Sequence, residues 1–264
     1  MRSQTTVTSI LLSAAFLTGA LLLSACASAV PPSRLAAYLG PPSSTEGQAE
    51  PALPERPFSA GLVFLADKSA PDAAPLPPDE ALNRVREDLQ AQLGIYLRIT
   101  IEKEVPADGI APGGDASQLA ELGRKHGLDY LVLVLFSSTE VEYPIYVFLG
   151  WTSHMQPGFR LDNWSLFEVA LLDVKTGRTL LHAEGRGWAT LDSPTAPGIN
   201  QWYPVIYNRQ MGLSNARRYW PATFESSRNT LRVVSMNDAV KQLLVKVQNA
   251  WIEKRQAELA AAGG

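Results

Sequence analysis

The clearest chemical group in the 264-residue chain is the thiol of Cys26, its only cysteine. A thiolate is a strong nucleophile, and cysteine thiols are common attachment points for lipid. Ser24 and Ala25 come directly before it, and small side chains at these positions let an extended backbone enter a protease cleft. A disulfide within the chain is excluded, because there is no second cysteine. The pattern predicts cleavage between Ala25 and Cys26 and modification of the thiol.

The segment before Cys26 has the layout of an export signal. Arg2 is its one charged residue, and Val7–Leu23 is mainly apolar. The tetrapeptide Leu23-Ser24-Ala25-Cys26 resembles the lipobox of bacterial lipoproteins, which implies signal-peptide removal at residue 25 and acyl chains on the thiol and the new amine. Ala27 after the cysteine resembles the pattern of lipoproteins sent to the outer membrane. The alternative is an uncleaved helical anchor, since the stretch approaches the ~20 residues that span a bilayer.

Residues 26–57 are expected to form a lipid-anchored linker. They are rich in proline and small polar residues, which cannot bury a core, so we predict an extended spacer rather than a specific proline-rich ligand. Fully extended, such a spacer would reach on the order of 90 Å. The prolines concerned are Pro31, Pro32, Pro41, Pro42, Pro51, Pro54 and Pro57.

Residues 58–260 are expected to form a single α/β domain. Tyr130–Phe136 is continuously apolar, which is typical of a central strand, and alternation over Thr139–Tyr143 predicts that this strand continues. Gly177 provides a hairpin turn, and Gly185 and Gly187 share a face that another element can approach closely. The predicted strands are 61–66, 97–105, 130–136, 164–174 and 179–189, and the predicted helices are 80–94, 116–126 and 237–258, the last capped by Ser235 or Asn237.

The resulting class is α/β (α+β), with a mixed five-stranded sheet and helices packed on it. Its order is strand, helix, strand, helix, strand, strand, strand, helix. This order resembles small envelope modules: the lipoprotein activators of cell-wall synthases, the amino-terminal domain of the Tol translocation protein and the curli secretion pore lipoprotein. A second resemblance, based on Gly263-Gly264, is to the rhombotarget lipoproteins.

Catalytic constellations are scarce in the sequence. His126, His154 and His182 match no metal-ligand spacing, so we expect no metal and no cofactor. Asp67 and Ser137 follow predicted strands, where open α/β sheets place ligands, although loop capping explains them as well. His182, Glu184 and Arg186 share one strand face and could act in acid–base chemistry, but a solvated face looks the same.

Two insertions of the predicted domain, residues 137–163 and 190–234, are rich in aromatic side chains. Long loops inside a domain are often functional, and aromatic residues with arginine act as anchors in protein interfaces. The alternative is that these side chains pack onto the domain itself. The candidate partner-binding residues are Tyr146, Phe148, Trp151, Trp202, Tyr203 and Trp220.

The function that we predict is a non-catalytic, membrane-anchored envelope lipoprotein that docks a periplasmic protein. It would lie on the outer membrane, facing the periplasm, with surface exposure left open. The formal charge of −3 and the lack of a basic cluster larger than Arg217-Arg218 exclude nucleic acid as a partner. Two alternatives are a subunit of an outer-membrane export pore, with residues 137–163 as a membrane hairpin, and an envelope hydrolase using Ser137 or His182.

Overall fold

The structure, a computed structural model, describes residues 30–40, 51–55, 57–148, 155–195, 202–209 and 217–263. The strands are β1 (Phe58–Ala66), β2 (Ile99–Glu104), β3 (Tyr130–Phe148), β4 (Met155–Asp173), β5 (Arg178–Pro194), β6 (Val205–Asn208) and β7 (Arg218–Tyr219). The helices are α1 (Leu35–Leu39), α2 (Asp79–Leu97), α3 (Ala116–Lys125) and α4 (Ser227–Ala262). Among these described helices, none is long and apolar enough to cross a bilayer.

One mixed sheet unites the strands of the described ranges, in the order β2-β1-β3-β4-β5-β6-β7. β1 pairs in parallel with β2 and β3, and all other neighbours are antiparallel. The α/β class and the mixed sheet are confirmed, but the prediction of five strands is wrong, because the sheet has seven. The predicted order of elements is wrong as well, because helix α1 precedes β1, and β6 and β7 lie between β5 and the last helix. β6 and β7 have four and two residues, too few to produce a readable alternation.

The 137–163 insertion is mostly strand rather than loop. β3 and β4 each have 19 residues, and they stay in antiparallel register from Tyr130 opposite Asp173 to Phe148 opposite Met155. The expected continuation of the central strand past Phe136 is thus confirmed, and it runs further than the alternation over 139–143 indicated. This ladder carries the sheet well beyond the part that helices α2 and α3 cover.

Helices cover the inner part of the sheet on both faces. α2 and α4 pack on one face, where Leu89, Phe136 and Leu243 belong to a single apolar cluster. α1 and α3 pack on the other, where Tyr38 and Leu119 contact the opposite side of the same strands. Alternate residues of β3 enter the two clusters, which explains why Tyr130–Phe136 is continuously apolar.

Helix α4 begins at Ser227, ten residues before the predicted start near 237. Ser235 and Asn237, one of which we expected to cap the helix, both lie inside it. The Ser235 side chain is buried, and its hydroxyl is 2.9 Å from that of Ser165 on β4. The early turns are held to the sheet by Arg232, whose guanidinium contacts the Glu140 carboxylate at 2.6 and 3.0 Å. Polar packing of this kind leaves no apolar periodicity in the sequence, which is why the first turns were missed.

The close approach predicted at Gly185 and Gly187 is present, and the element that makes it is α4. A Cβ at Gly187 would lie 2.7 Å from the backbone nitrogen of Ala239, and a Cβ at Gly185 would lie 2.7 Å from Cα of Leu243. Real side chains do not tolerate such distances from backbone atoms, so helix and strand can pack this closely only without side chains at both positions.

We expect Gly187→Ala to lower the free energy of unfolding by about 1–3 kcal/mol, because the added methyl group would force α4 away from β5. The measurement is urea unfolding of the lipid-free protein. Gly94→Ala in α2 is the matched control: its new Cβ would meet nothing closer than the Ile99 carbonyl oxygen at 3.6 Å, and it should be neutral or stabilising. Equal stability of both variants would contradict the close packing.

Candidate functional site

The carboxyl end of β1 lies beside the middle of β3, where Ala66 pairs with Phe136, and this place is a topological switch point. The connection after β1 leads to β2 on one side of it, and the connection after β2 crosses to β3 on the other side. Open α/β sheets bind ligands at such a place. Asp67 follows β1 directly, and its backbone N–H donates to the Phe136 carbonyl at 2.8 Å. Asp67 and Ser137 are both buried here. The prediction that Ser137 follows its strand is wrong, because β3 continues through it to Phe148.

An amino-terminal segment of the chain itself occupies this crevice. We call residues 31–40 the strap. Arg34 of the strap places Nε 2.8 Å from Oδ2 of Asp67 and donates from Nη2 to the Ser69 hydroxyl at 2.6 Å. Tyr38, four residues further, is buried among apolar residues of α3, β1 and β3. The expectation of an extended spacer is therefore wrong for this stretch.

Glu168 of β4 binds the start of helix α1. Its buried carboxylate accepts hydrogen bonds from the Ser33 hydroxyl, from the backbone N–H of Arg34 at 2.8 Å and from that of Leu35 at 3.4 Å. A carboxylate at a helix amino terminus is favoured by the free N–H groups and by the helix dipole. The strap thus provides hydrogen-bond donors for the buried carboxylate of Glu168.

Two of the three residues on the suspected acid–base face of β5 also serve the strap. Nη1 of Arg186 donates to the Pro31 carbonyl at 2.8 Å, and Nε of Arg186 lies 3.0 Å from a carboxylate oxygen of Glu184. His182 is exposed. The buried hydroxyl of Ser137 has no hydrogen-bond partner among the described residues, so no described base stands next to it. The contacts of Glu184 and Arg186 therefore hold the strap in position.

Ionisation at the switch point depends on the strap. For Asp67, burial is the largest single influence and opposes ionisation, but hydrogen bonds from Ser69 and Arg34 together outweigh it and lower the pKa below its ordinary value. Burial, and then the Asp67 carboxylate, raise the pKa of Tyr38 to about 12. The aspartate is therefore a buried anion stabilised mainly by donors from loop and strap.

A second part of the expected spacer also packs on the domain. Leu53 is buried, and its backbone N–H donates to the Glu258 carboxylate at 2.6 Å. Nη2 of Arg255, on the same helix α4, donates to the Pro54 carbonyl at 2.7 Å. The described parts of the proline-rich segment thus run along the body, because its carbonyl groups and few apolar side chains find partners there.

Far along the β3–β4 ladder, aromatic residues from both insertions come together. We call Phe148, Trp202, Tyr203, Tyr207 and Trp220 the aromatic tip. Their side chains, with Val205 and Arg218, line a cleft of about 190 Å³. The exposed fractions of Phe148, Trp202 and Trp220 are 53%, 54% and 53%, which are high for such large apolar groups. The two insertions therefore form one surface.

The remaining sequence-predicted residues lie elsewhere. Tyr146 is 68% exposed on β3, two residues before Phe148, and it does not line the cleft. Trp151 and His154 lie outside the described residues, as do Ala25 and Cys26. His126 follows the last residue of α3. In the described part of the chain, no three metal-ligating side chains cluster.

A row of rings and arginines that the sequence analysis missed leads to the aromatic tip. Trp164 and Trp188 are opposite each other in the β4–β5 ladder and stack at 5.7 Å. The Arg209 guanidinium lies 5.9 Å from the Trp188 ring and 5.4 Å from Tyr207, and Arg218 lies 5.9 Å from Tyr207. Cation–π contacts of this kind hold arginine over a ring while leaving its N–H donors available.

Polar contacts lie beside this row, on the same face of the β4–β5 ladder as Trp164 and Trp188. Arg160 makes a two-point ion pair with Asp192, at 2.5 and 2.6 Å, and Arg209 Nε donates to the Thr190 hydroxyl at 3.0 Å. Tyr143 donates to the buried Asp162 carboxylate at 3.0 Å. The ion pair and these hydrogen bonds hold the side chains of the surface in a fixed arrangement, which does not depend on a bound ligand.

Comparisons with known proteins give little beyond this geometry. No protein-family model and no curated protein matches the chain. A crystal structure of a neuraminyllactose-binding hemagglutinin homolog from Helicobacter pylori is 12% identical, with a TM-score of 0.32 over 77% of this chain and 89% of that one. A PelC dodecamer from Paraburkholderia phytofirmans is also 12% identical, with a TM-score of 0.23 over 74% and 95%. Likeness this low carries no argument about function.

We expect the Arg34–Asp67 pair to show a coupling free energy of about 1–3 kcal/mol in a double-mutant cycle of Arg34→Ala and Asp67→Asn. The folded-state pKa of Asp67 is lowered, so the coupling should be complete above the unfolded value of 3.8 and should fall as pH drops through the lower folded value. The readout is urea unfolding of the lipid-free protein from pH 7 to pH 3.

The matched control for this cycle is the exposed pair of Glu80 and Arg84 on α2, whose side chains are 87% and 70% exposed. Its coupling should stay below about 0.5 kcal/mol, as is usual for exposed pairs. Equal coupling in the two cycles, or no change with pH for Arg34 and Asp67, would contradict the assigned role of the buried pair.

Proposed function

We propose that this protein is a non-catalytic lipoprotein of the bacterial cell envelope, anchored through Cys26, that binds a protein partner with its aromatic tip. The observation that carries the proposal is the meeting of the two aromatic insertions in one exposed cleft at the end of the sheet. The lipid anchor rests on Leu23-Ser24-Ala25-Cys26 and on the apolar segment before it.

The composition of the aromatic tip supports a protein interface. Tryptophan, tyrosine and arginine dominate the energetics of binding at interfaces, and exposed rings such as Trp202 and Trp220 are otherwise costly in water. Within the described residues, neither Arg209 nor Arg218 takes part in an ion pair. A partner segment with an apolar side chain for the cleft and a carboxylate beside it fits this surface best.

Rigidity of the support also favours binding. A surface that is already ordered loses little conformational entropy when it binds, so more of the contact energy appears as affinity. The Arg160–Asp192 pair and the Trp164–Trp188 stack provide that order here. The cleft also lies at the far end of β3, away from the strap, where a large partner has access.

Membrane attachment through Cys26 agrees with the remaining features of the sequence. Acylation at both the thiol and the new amine gives firm attachment, whereas one acyl chain alone is marginal. Ala27 favours the outer membrane as the destination, with the folded body facing the periplasm. The partner is then expected among periplasmic or membrane-bound envelope proteins.

The two alternatives receive less support. For a pore hairpin, one face of the 137–163 ladder is occupied by α4 through the ion pairs of Arg232 with Glu140 and of Arg228 with Glu142. For a hydrolase, the Ser137 hydroxyl has no base among its described neighbours. The surroundings of Ser137 therefore do not suggest a reacting centre, and the ion-paired face of the ladder does not suggest a strand pair that faces lipid.

A photoreactive amino acid in place of Trp202 should crosslink a protein partner in cells of the native host. The double variant Trp202→Ala, Trp220→Ala should abolish capture from a label at Tyr146, because each lost anchor costs about 2 kcal/mol, or roughly 30-fold in affinity. Tyr96→Ala is the matched control: this aromatic residue is 46% exposed, on α2, and its loss should not change capture. Unchanged capture by the double variant would refute the aromatic tip as the binding surface.

Mass spectrometry of the protein from its host should find Cys26 as the first residue, carrying lipid on sulfur. Cys26→Ala should leave the signal uncleaved or the protein unanchored, since no other thiol can replace the modified one. An unmodified Cys26 in protein that retains residues 1–25 would contradict the lipid anchor. The binding surface is tested separately, by the crosslink above.

A further inference from the structure

Pro31, the first residue of the strap, is buried and held by the folded body. Its carbonyl accepts from Nη1 of Arg186 at 2.8 Å. The next contacts follow without interruption, since Ser33, Arg34 and Leu35 all donate to the carboxylate of Glu168. The chain is therefore attached to the body 27 residues before β1 begins, as the numbering of Pro31 and Phe58 shows.

The strap is attached at several independent points. The Arg34 guanidinium pairs with Asp67, Tyr38 is buried, and the carbonyl of Ala37 accepts from the Gly113 N–H at 2.7 Å. Release of the strap would leave the carboxylates of Asp67 and Glu168 buried without these donors, which is strongly unfavourable. The strap is thus a fixed part of the body.

This attachment shortens the reach of the lipid anchor. Cys26 and Pro31 are five positions apart, and even a fully extended chain of that length covers no more than ~17 Å. If the chain were free up to β1, 32 positions would separate Cys26 from Phe58, and the limit would be ~110 Å. The difference is larger than the diameter of a small domain.

We propose that the strap holds the folded body directly at the lipid surface, and that the part of the body around Pro31, Glu184 and Arg186 is its membrane-proximal side. This inference rests on lipidation at Cys26, which belongs to the proposed function. The partner assigned to this side is the lipid bilayer itself, and residues 32–57 contribute nothing to the reach of the anchor.

The aromatic tip remains accessible in this arrangement. Ser137 marks the strap end of the outer β3 segment and Phe148 its far end, eleven residues and about 37 Å away along an antiparallel strand. The lipid surface and the proposed protein partner therefore contact separate parts of the sheet, and both can be engaged at once.

Two matched insertions test the inference. Ten Gly/Ser residues are placed between Ala27 and Ser28 in one variant and between Ser44 and Thr45 in the other, on opposite sides of the strap in the sequence. A donor dye on His182→Cys, an exposed position four residues from Arg186, reports the distance to acceptor-labelled lipid by energy transfer. The lipidated protein is reconstituted in phosphatidylethanolamine–phosphatidylglycerol vesicles.

The insertion before the strap should lower energy transfer, because it adds about 17 Å of root-mean-square reach. The insertion after the strap should leave transfer unchanged. When Arg34→Ala and Glu168→Gln are combined to release the strap, the second insertion should lower transfer as well. Equal loss from both insertions in the otherwise unchanged protein would overturn the inference and restore the long spacer.

Flotation separates failure of this inference from failure of the anchor. Protein that floats with the vesicles but responds equally to both insertions is anchored without a short tether, so only the inference fails. Protein that does not float and carries an unmodified Cys26 contradicts the lipid anchor, and the inference falls with it.

Discussion

The pairing of β3 with β4 is the constraint on which the rest of the structure depends. Its inner half is buried between helices on both faces, so Leu133 and Val134 must point into opposite apolar clusters. Because side chains alternate along a strand, a slip of one residue would exchange these two clusters, and the core therefore fixes the register. The outer half inherits that register. The core thus decides which faces Trp164 and Phe148 occupy, although neither belongs to it.

The strap is the second consequence of this arrangement. Glu168 lies in the core-facing part of β4, opposite Leu135, and Asp67 follows the buried end of β1. An apolar sheet that contains two carboxylates needs donors that reach them, and the strap supplies a guanidinium, a hydroxyl and two backbone N–H groups. A segment that composition assigns to a spacer is therefore required for the electrostatic balance of the body. The Asp67 pKa, lowered by Ser69 and Arg34, reflects the same requirement.

Much of the fold could be predicted from local patterns. The helices near 80–94 and 116–126, the turn at Gly177 and the small face at Gly185 and Gly187 are all confirmed, because each depends on periodicity or on one backbone conformation.

The strap could not be predicted, since its partners at Glu168 and Arg186 are 134 and 155 positions away and leave no local trace. Four residues of the aromatic tip were singled out by type, but their convergence depends on β6 and β7, which are too short to read. Trp164, Trp188 and Arg209 were missed because each stands alone in its own segment. Lipidation at Cys26 stays a prediction.

The sequence distance between the strap and its partners also determines when it can dock. A chain emerges amino terminus first, whether from a ribosome or from a translocation channel. Ser33 therefore emerges long before Arg186 does. Glu168 and Arg186 must both have emerged, and β4 and β5 must have paired, before the strap finds its binding surface. Closing so long a loop carries a high entropic cost until the sheet is formed. The strap, which emerges before every strand of the sheet, is consequently among the last segments to reach its native position.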